Sequence, residues 1–174
     1  MDGCFHLAAI ASVQKCTEEW IDTHTVNLTG TISIFDAARQ VGDIPVVYAS
    51  SAAVYGDGGT EAQSESQQVN PLSAYGADKY SCEMQARVAS VIHQVPSAGF
   101  RFFNVYGPRQ DPKSPYSGVL SIFVDRISRG EPVRIFGTGQ QSRDFIHVYD
   151  VVRHLIAGMN HVSRHGTSDV FNAC

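Results

Sequence analysis

The sequence predicts an α/β fold built on a parallel sheet. Short apolar runs alternate along the chain with longer stretches of helical periodicity, the pattern of strands joined by crossover helices. The first of those runs is apolar almost throughout, as a strand covered on both faces must be. The scale agrees, since 174 residues with 43% apolar and 17% charged side chains suit one globular domain with a sizeable core.

Taken in order, residues 5–10 (FHLAAI) read as a short buried strand. Thr17 is placed to cap a helix, and Glu18 and Glu19 suit its positive N-terminal end. Ile21, Leu28, Ile32 and Phe35 mark one face of that helix, and Gly42 ends it. Residues 44–50 (IPVVYAS) form a second strand, followed by a loop rich in Gly, Ser and Gln over 56–70. Ser73 caps a helix reaching about Gln94, broken by Pro96 and Gly99. Residues 100–105 (FRFFNV) form a third strand. A helix over 117–129 carries Val119, Phe123 and Ile127 at i, i+4 and i+8, and Gly130 and Pro132 stop it. Residues 133–136 and 145–148 are short strands, with Gly137-Thr138-Gly139 expected as a hairpin turn. Asp150 is placed to cap a last helix with Val152, Leu155, Ile156 and Met159 on one face, and a strand starts at Val170–Asn172.

Several function classes fall away. Net charge is −4 with no Lys/Arg run, so a nucleic-acid footprint is not expected. No apolar run approaches 18 residues, so no membrane-spanning helix is expected. The N-terminus lacks the basic start and apolar stretch of a signal peptide, and the expectation is a cytoplasmic protein. Cys4, Cys16, Cys82 and Cys174 fit no zinc spacing and are expected as free buried or half-buried thiols. His154, His161 and His165 cluster late in the chain without a His-Glu-x-x-His pattern, so no metal site is expected.

The strongest chemical signal is Tyr75-Gly76-Ala77-Asp78-Lys79, preceded by Ser50-Ser51 at a strand end. On a helix Tyr75 and Lys79 stand at i and i+4 and share a face. A free tyrosine titrates near 10, and bringing that to neutrality takes ~4 kcal/mol. A neighbouring ammonium favours the phenolate. Ser51, at the carboxyl end of its strand where ligands of open α/β sheets bind, is placed to hold a substrate hydroxyl against the tyrosine. The pair alone is also compatible with a plain contact on a helix surface.

The surrounding residues carry a resemblance. The run Ser50-Ser51-Ala52-Ala53-Val54-Tyr55-Gly56-Asp57 and the later Pro71-Leu72-Ser73-Ala74-Tyr75-Gly76-Ala77-Asp78-Lys79 are similar to the extended short-chain dehydrogenase/reductase family, in its nucleotide-sugar epimerase branch of the UDP-glucose 4-epimerase type. Phe5-His6-Leu7-Ala8-Ala9, Asn27-Leu28-Thr29-Gly30-Thr31, Arg101 to Pro108 (RFFNVYGP) and Arg143 to Val151 (RDFIHVYDV) follow in the family's order. The resemblance implies a partial Rossmann-like parallel sheet with flanking helices. It implies NAD-dependent 4-epimerisation of a nucleotide-diphosphate sugar such as UDP-glucose or UDP-N-acetylglucosamine. Tyr75 would be the acid/base, Lys79 would bind the nicotinamide ribose, and Ser51 would bond the reacting hydroxyl. Leu7, Ala8, Ala9, Asn27, Ser50, Tyr75, Lys79 and Phe102 would line NAD. Ser51, Asn104, Val119, Arg134, Phe136 and Arg143 would meet the nucleotide sugar. Arg143 suits a diphosphate, although a local ion pair would use it equally, and Phe102 and Phe103 are also plausible core residues.

The departures matter too. No Gly-x-Gly-x-x-Gly occurs, and the acidic residue expected for the adenosine ribose is missing with it. The expectation is therefore a single incomplete domain over 1–174. Residues 1–116 would be the Rossmann-like part, 117–150 the start of the substrate lobe and 151–174 a return to the sheet. The N-terminal Gly-rich βαβ unit and most of the C-terminal substrate domain would be lacking, and NAD binding would be weak or absent. The alternatives are an inactive truncated product that oligomerises, or a nucleotide-sugar dehydratase or reductase. Ala52 and Ala53 stand where dehydratases place a carboxylate, which disfavours the dehydratase. A homodimer or larger assembly is expected through the helices over 17–40 and 73–94.

Overall fold

A computed structural model describes residues 2–59, 61–114 and 116–174. The chain begins with β1 (Cys4–His6), α1 (Val13–Glu18), α2 (Trp20–His24), a π-helical turn (Thr25–Thr29), α3 (Gly30–Gln40) and β2 (Val46–Ser51). A 3-10 turn (Ala52–Tyr55), α4 (Ala74–His93), β3 (Ser97–Phe102) and β4 (Asn104–Tyr106) follow. It closes with α5 (Val119–Ser128), β5 (Phe145–His147), α6 (Val148–His165) and β6 (Ser168–Ala173).

Strands β1, β2, β3 and β6 lie side by side in that order, and each neighbouring pair is parallel. This is the Rossmann-like sheet with flanking helices that the sequence implied. Side chains alternate across β2 and feed two cores. Val46 and Tyr48 pack with Phe35, Ala38, Cys82, Ala86 and Ala89 beneath α3 and α4. Val47 points the other way and packs with Ala98, Phe100, Val151, Leu155 and Val162 beneath α6. With both faces covered, the strands read as apolar runs rather than as an alternation.

Several boundaries differ from expectation. The first strand pairs only over Cys4–His6; Leu7 to Ile10 leave the ladder and run past the carboxyl end of the sheet. Ser12, not Thr17, caps the first helix, accepting the Lys15 N–H through Oγ at 3.1 Å, while Thr17 lies inside it. The helical face expected from Ile21 to Phe35 is interrupted by the π-helical turn, which shifts the phase of the spiral. Ile21 is 80% exposed while Phe35 is 4% exposed. The aromatic strand is two elements, because at Phe103 the chain leaves the main sheet and β4 pairs with β5 instead. Residues 133–136 form no strand, so Gly137–Gly139 is a turn but not a hairpin. His147, not Asp150, caps α6. The buried face of α6 is Val151, Leu155, Gly158 and Val162, whereas Val152 and Ile156 are about half exposed. Gly158 explains that phase: a Cβ there would stand 2.6 Å from the Phe100 ring, so the helix crosses β3 at this point.

All four cysteines are free, with Cys174 exposed rather than half-buried. No helix of the described residues is long and apolar enough to cross a membrane.

Candidate active site

The carboxyl ends of the parallel strands open into one cavity of about 470 Å³. It lies where the 3-10 turn follows β2 and where α4 begins. Ser51 ends β2 with extended backbone and its Oγ accepts the Ala53 N–H at 3.2 Å, which starts the 3-10 turn. Ser73 then caps α4 as its sequence predicted, accepting the Gly76 N–H at 3.1 Å. Gly76 lets the first turn of α4 press onto the 3-10 turn, since a Cβ there would lie 2.6 Å from the Ala53 carbonyl oxygen. That close approach sets Tyr75 beside Ser51. The Ser51 hydroxyl proton is left uncommitted by that bond and faces the cavity that Tyr75 also lines.

Lys79 follows one turn later, 3% exposed, and its Nζ donates to the Ala49 carbonyl at 2.8 Å. Nζ stands 5.9 Å from the centre of the Tyr75 ring. The electrostatics differ from the sequence expectation. Burial pushes the Tyr75 phenol above its ordinary 10, with the hydrogen bond from Ser51 acting the opposite way. Burial likewise pushes Lys79 below 10.5. The i,i+4 spacing places the two groups together but says nothing of desolvation, which is the largest cause acting on each.

The cavity brings together Leu7, Ala9, Ser50, Ser51, Tyr75, Lys79, Phe102 and Asn104. Other candidates stand apart. Ala8 is exposed outside the lining. The Ser50 hydroxyl turns away and donates to Glu83 Oε1 at 2.5 Å, so only the rest of Ser50 faces the cavity. Asn27 is buried in the π-helical turn, where its Oδ1 accepts the Ile10 N–H at 2.8 Å and its Nδ2 donates to the Ile10 carbonyl at 3.1 Å. Its amide clamps the segment after β1 rather than facing the cavity. Val119 is 42% exposed and does not line it, although its neighbours Gly118 and Leu120 do. Arg134 and Phe136 stack on each other at 4.8 Å on the surface. Arg143 borders an adjoining open cleft with Asn104, Tyr55 and Asp57, and its Nη1 donates to the Ser142 carbonyl at 2.7 Å.

Sequence reasoning missed the aromatic wall of Tyr106, Tyr116 and Phe145. Tyr106 and Phe145 meet edge to face at 6.3 Å across the small sheet. No sequence signal pairs two residues so far apart. It also missed a buried network that would have been found by continuing the Tyr75–Lys79 spacing one more turn to Glu83. Glu83 accepts from Arg101 Nε at 2.9 Å and Nη2 at 2.7 Å, and Arg101 Nη1 donates to the Tyr55 hydroxyl at 2.8 Å. Among the described residues, no group of three His, Cys, Asp or Glu side chains is arranged to hold a metal ion.

The whole span, residues 1–174, matches the pattern of the NAD dependent epimerase/dehydratase family. The chain belongs to that family. Among relatives of this epimerase/dehydratase chain is a protein of Methanocaldococcus jannaschii described as a putative UDP-glucose 4-epimerase. It is 37% identical over 156 residues, which are 89% of this chain and 51% of the relative. Among solved structures, the UDP-N-acetylglucosamine 4-epimerase of Methanobrevibacter ruminantium superimposes with a TM-score of 0.91 at 34% identity, covering 99% of this chain and 55% of that one. MoeE5, solved with UDP-glucose and NAD, gives a TM-score of 0.88 at 36% identity, covering 99% of this chain and 56% of its own. The family member described here thus spans about half the length of the relatives it matches.

Proposed function

We propose that this chain carries the acid/base machinery for NAD-dependent 4-epimerisation of a nucleotide-diphosphate sugar. The observation that carries the reading is the convergence of Tyr75, Lys79 and Ser51 on one cavity at the carboxyl ends of a parallel sheet. The similarity to sugar-nucleotide epimerases at 34–37% identity supports the same reaction class.

The donor set suits the nicotinamide end of NAD. Lys79 offers ammonium protons to ribose hydroxyls, and Leu7 and Ala9 offer an apolar wall to a flat ring. When bound, NAD supplies the hydride acceptor and donor that a redox epimerisation needs. The chain's own residues handle the proton and the orientation. Ser51 holds the sugar hydroxyl, the Tyr75 phenolate takes its proton and later returns it, and the Lys79 cation stabilises the phenolate before the proton arrives and after it is returned. Phe102 and the aromatic wall exclude water. Asn104 at the cavity and Arg143 in the adjoining cleft are the polar groups placed to meet the sugar and its diphosphate.

The test is an assay of UDP-glucose with millimolar NAD, following products by chromatography. Formation of the 4-epimer is expected, and a 4-keto-6-deoxy product would assign the dehydratase reaction instead. Ala52 and Ala53 in the 3-10 turn put no carboxylate beside Ser51, which favours the epimerase. These 174 residues also contain no Gly-rich strand-to-helix turn to cradle a pyrophosphate. Calorimetric titration of this chain with NAD is therefore expected to show binding well weaker than micromolar; a micromolar dissociation constant would refute that part of the reading.

Association of two copies belongs to the same proposal. Met84, Val88, Val91 and Ile92 on α4 are between 48% and 70% exposed, and Ile32 on α3 is 38% exposed. Such an apolar helical face favours pairing. Light scattering after size exclusion is expected to give at least twice the 18.9 kDa of one chain. A monodisperse monomer at micromolar concentration would contradict it.

A further inference from the structure

The loop after the 3-10 turn is tied to the far edge of the sheet chiefly through one residue. β6 is the outermost strand on its side, and Asn172 lies near its carboxyl end. The next residue serves the ladder to β3, where the Phe103 N–H donates to the Ala173 carbonyl at 3.1 Å. The Asn172 N–H points away from β3 and donates to Glu65 Oε1 at 2.8 Å. Its Nδ2 donates to the Gln63 carbonyl at 2.9 Å, and its Oδ1 accepts the Tyr55 hydroxyl at 2.7 Å. Tyr55 has a single proton to give, and the Ser64 carbonyl stands farther from it at 3.2 Å. Arg101 Nη1 adds a longer bond to the Glu65 carbonyl at 3.3 Å.

Little else holds this stretch. Residues 61–66 (EAQSES) carry no apolar side chain larger than alanine, and all but Gln63 are exposed. Gln63 Oε1 is buried without a hydrogen-bond partner among the described residues. A segment kept by a few hydrogen bonds, with no apolar burial and one stranded oxygen, opens at low cost. The base of the loop is firmer. The Asn70 N–H donates to the Val54 carbonyl at 3.0 Å, and a Cβ at Gly56 would collide with the Asn70 carbonyl oxygen. The stretch also borders the site. Glu61, Gln63 and Tyr55 line the adjoining cleft of about 740 Å³ together with Arg143, and Phe103 and Asn104 belong to both cleft and cavity.

We propose that Asn172 is a positioning residue for the nucleotide-sugar cleft, holding residues 61–65 as a strap that forms part of the cleft wall. The strap swings out when its bonds to Asn172 break. A nucleotide sugar seated against the strap favours the latched state and keeps it shut. Asparagine suits the post because it offers a donor to Gln63 and an acceptor to Tyr55 from one short side chain. The inference rests on the reading of the cleft as the place of the nucleotide sugar, but its first readout needs neither ligand nor turnover.

Hydrogen–deuterium exchange read by mass spectrometry on peptic fragments tests this, with fragments of α4 as the internal control. In Asn172→Leu, which removes both side-chain bonds, amides of the strap are expected to exchange at least tenfold faster than in wild type. Those of α4 should stay within twofold. Asn172→Asp keeps the acceptor for Tyr55 and loses the donor to Gln63, so it should fall between the two. In wild type, millimolar UDP-glucose is expected to slow exchange of the strap at least threefold, and Asn172→Leu should bind that sugar nucleotide at least fivefold more weakly by calorimetry. A folded Asn172→Leu whose strap exchanges within twofold of wild type overturns the proposal. So does a wild-type strap that UDP-glucose leaves unchanged. If Asn172→Leu does not fold, Glu65→Ala decides by the same measure, since it removes an exposed side chain and the acceptor of the Asn172 N–H. A merely structural Asn172 would speed exchange in α4 and in the strap alike, which also overturns it. Protection of the strap without any 4-epimer would leave Asn172 in this role and remove only the assigned reaction. Epimerisation with an unresponsive strap would do the reverse.

Discussion

Tyr75→Phe is expected to lower 4-epimerisation by at least ~10²-fold, the usual cost of losing a positioned proton-transfer group. The comparison holds for this chain or for one completed with a dinucleotide-binding unit, with product measured by chromatography at saturating sugar nucleotide. Folding should change little at neutral pH, because the substitution removes one hydroxyl at the cavity wall and leaves the ring in place. The effect on stability reverses in alkali. Burial raises the Tyr75 pKa in the folded chain above that of the unfolded one. Its contribution is therefore fully present below pH 10 and is lost as pH rises through the folded-state value. Phenylalanine has no proton to lose, so the variant should lose less stability than wild type between pH 9 and 11. Tyr48, also pushed well up by burial, weakens both proteins alike and cancels in the difference. Turnover at the wild-type rate in Tyr75→Phe would remove this residue from the chemistry.

The second large effect is structural. Glu83→Ala should destabilise the fold by roughly 3–5 kcal/mol, because it strands the Arg101 guanidinium in the interior. Both side chains are only 6% exposed, and Glu83 accepts two bonds from Arg101 and one from Ser50. For a domain of this size that is a fall in midpoint temperature of about 10 °C. The double replacement Glu83→Leu with Arg101→Met removes both charges and should cost much less, since the penalty lies in the unpaired partner rather than in the lost pair. Thermal unfolding followed by circular dichroism measures both. A single variant as stable as wild type would show that water reaches and solvates Arg101.

Much of the site was legible because its elements are local. Ser51 announced itself as the end of an apolar strand, and Tyr75 and Lys79 as one helical turn behind a serine cap. Longer-range placements were not. Asn27 looked like a cavity residue, yet its side chain is spent on the backbone of Ile10, a partner 17 positions earlier that no spacing rule connects. The partner of Arg101 was equally hidden, because α4 brings Glu83 to it from 18 positions away. The face of α6 was misjudged by one position because its contact with Phe100 is made by Gly158, a residue without hydrophobic signal. The short first strand was overextended for a related reason. Leu7 and Ala9 are apolar because they line the cavity, not because they pair in the sheet.

The parallel register has a consequence for how the molecule comes into being. Cys4 faces Val46, Val46 faces Ser97 and Ser97 faces Ser168, so no strand of the main sheet pairs with a partner nearer than about forty residues along the chain. No hairpin nucleates this sheet. Each pairing must wait until a long intervening segment has closed, and α4 and α6 are the pieces able to form before it does. Assembly is then slow for a chain of this length, with apolar strands and bare edges exposed meanwhile to one another and to other chains. The opening of the strands' carboxyl ends to one side gathers the reactive groups into a single cavity, and the same arrangement makes that cavity one of the last features to exist.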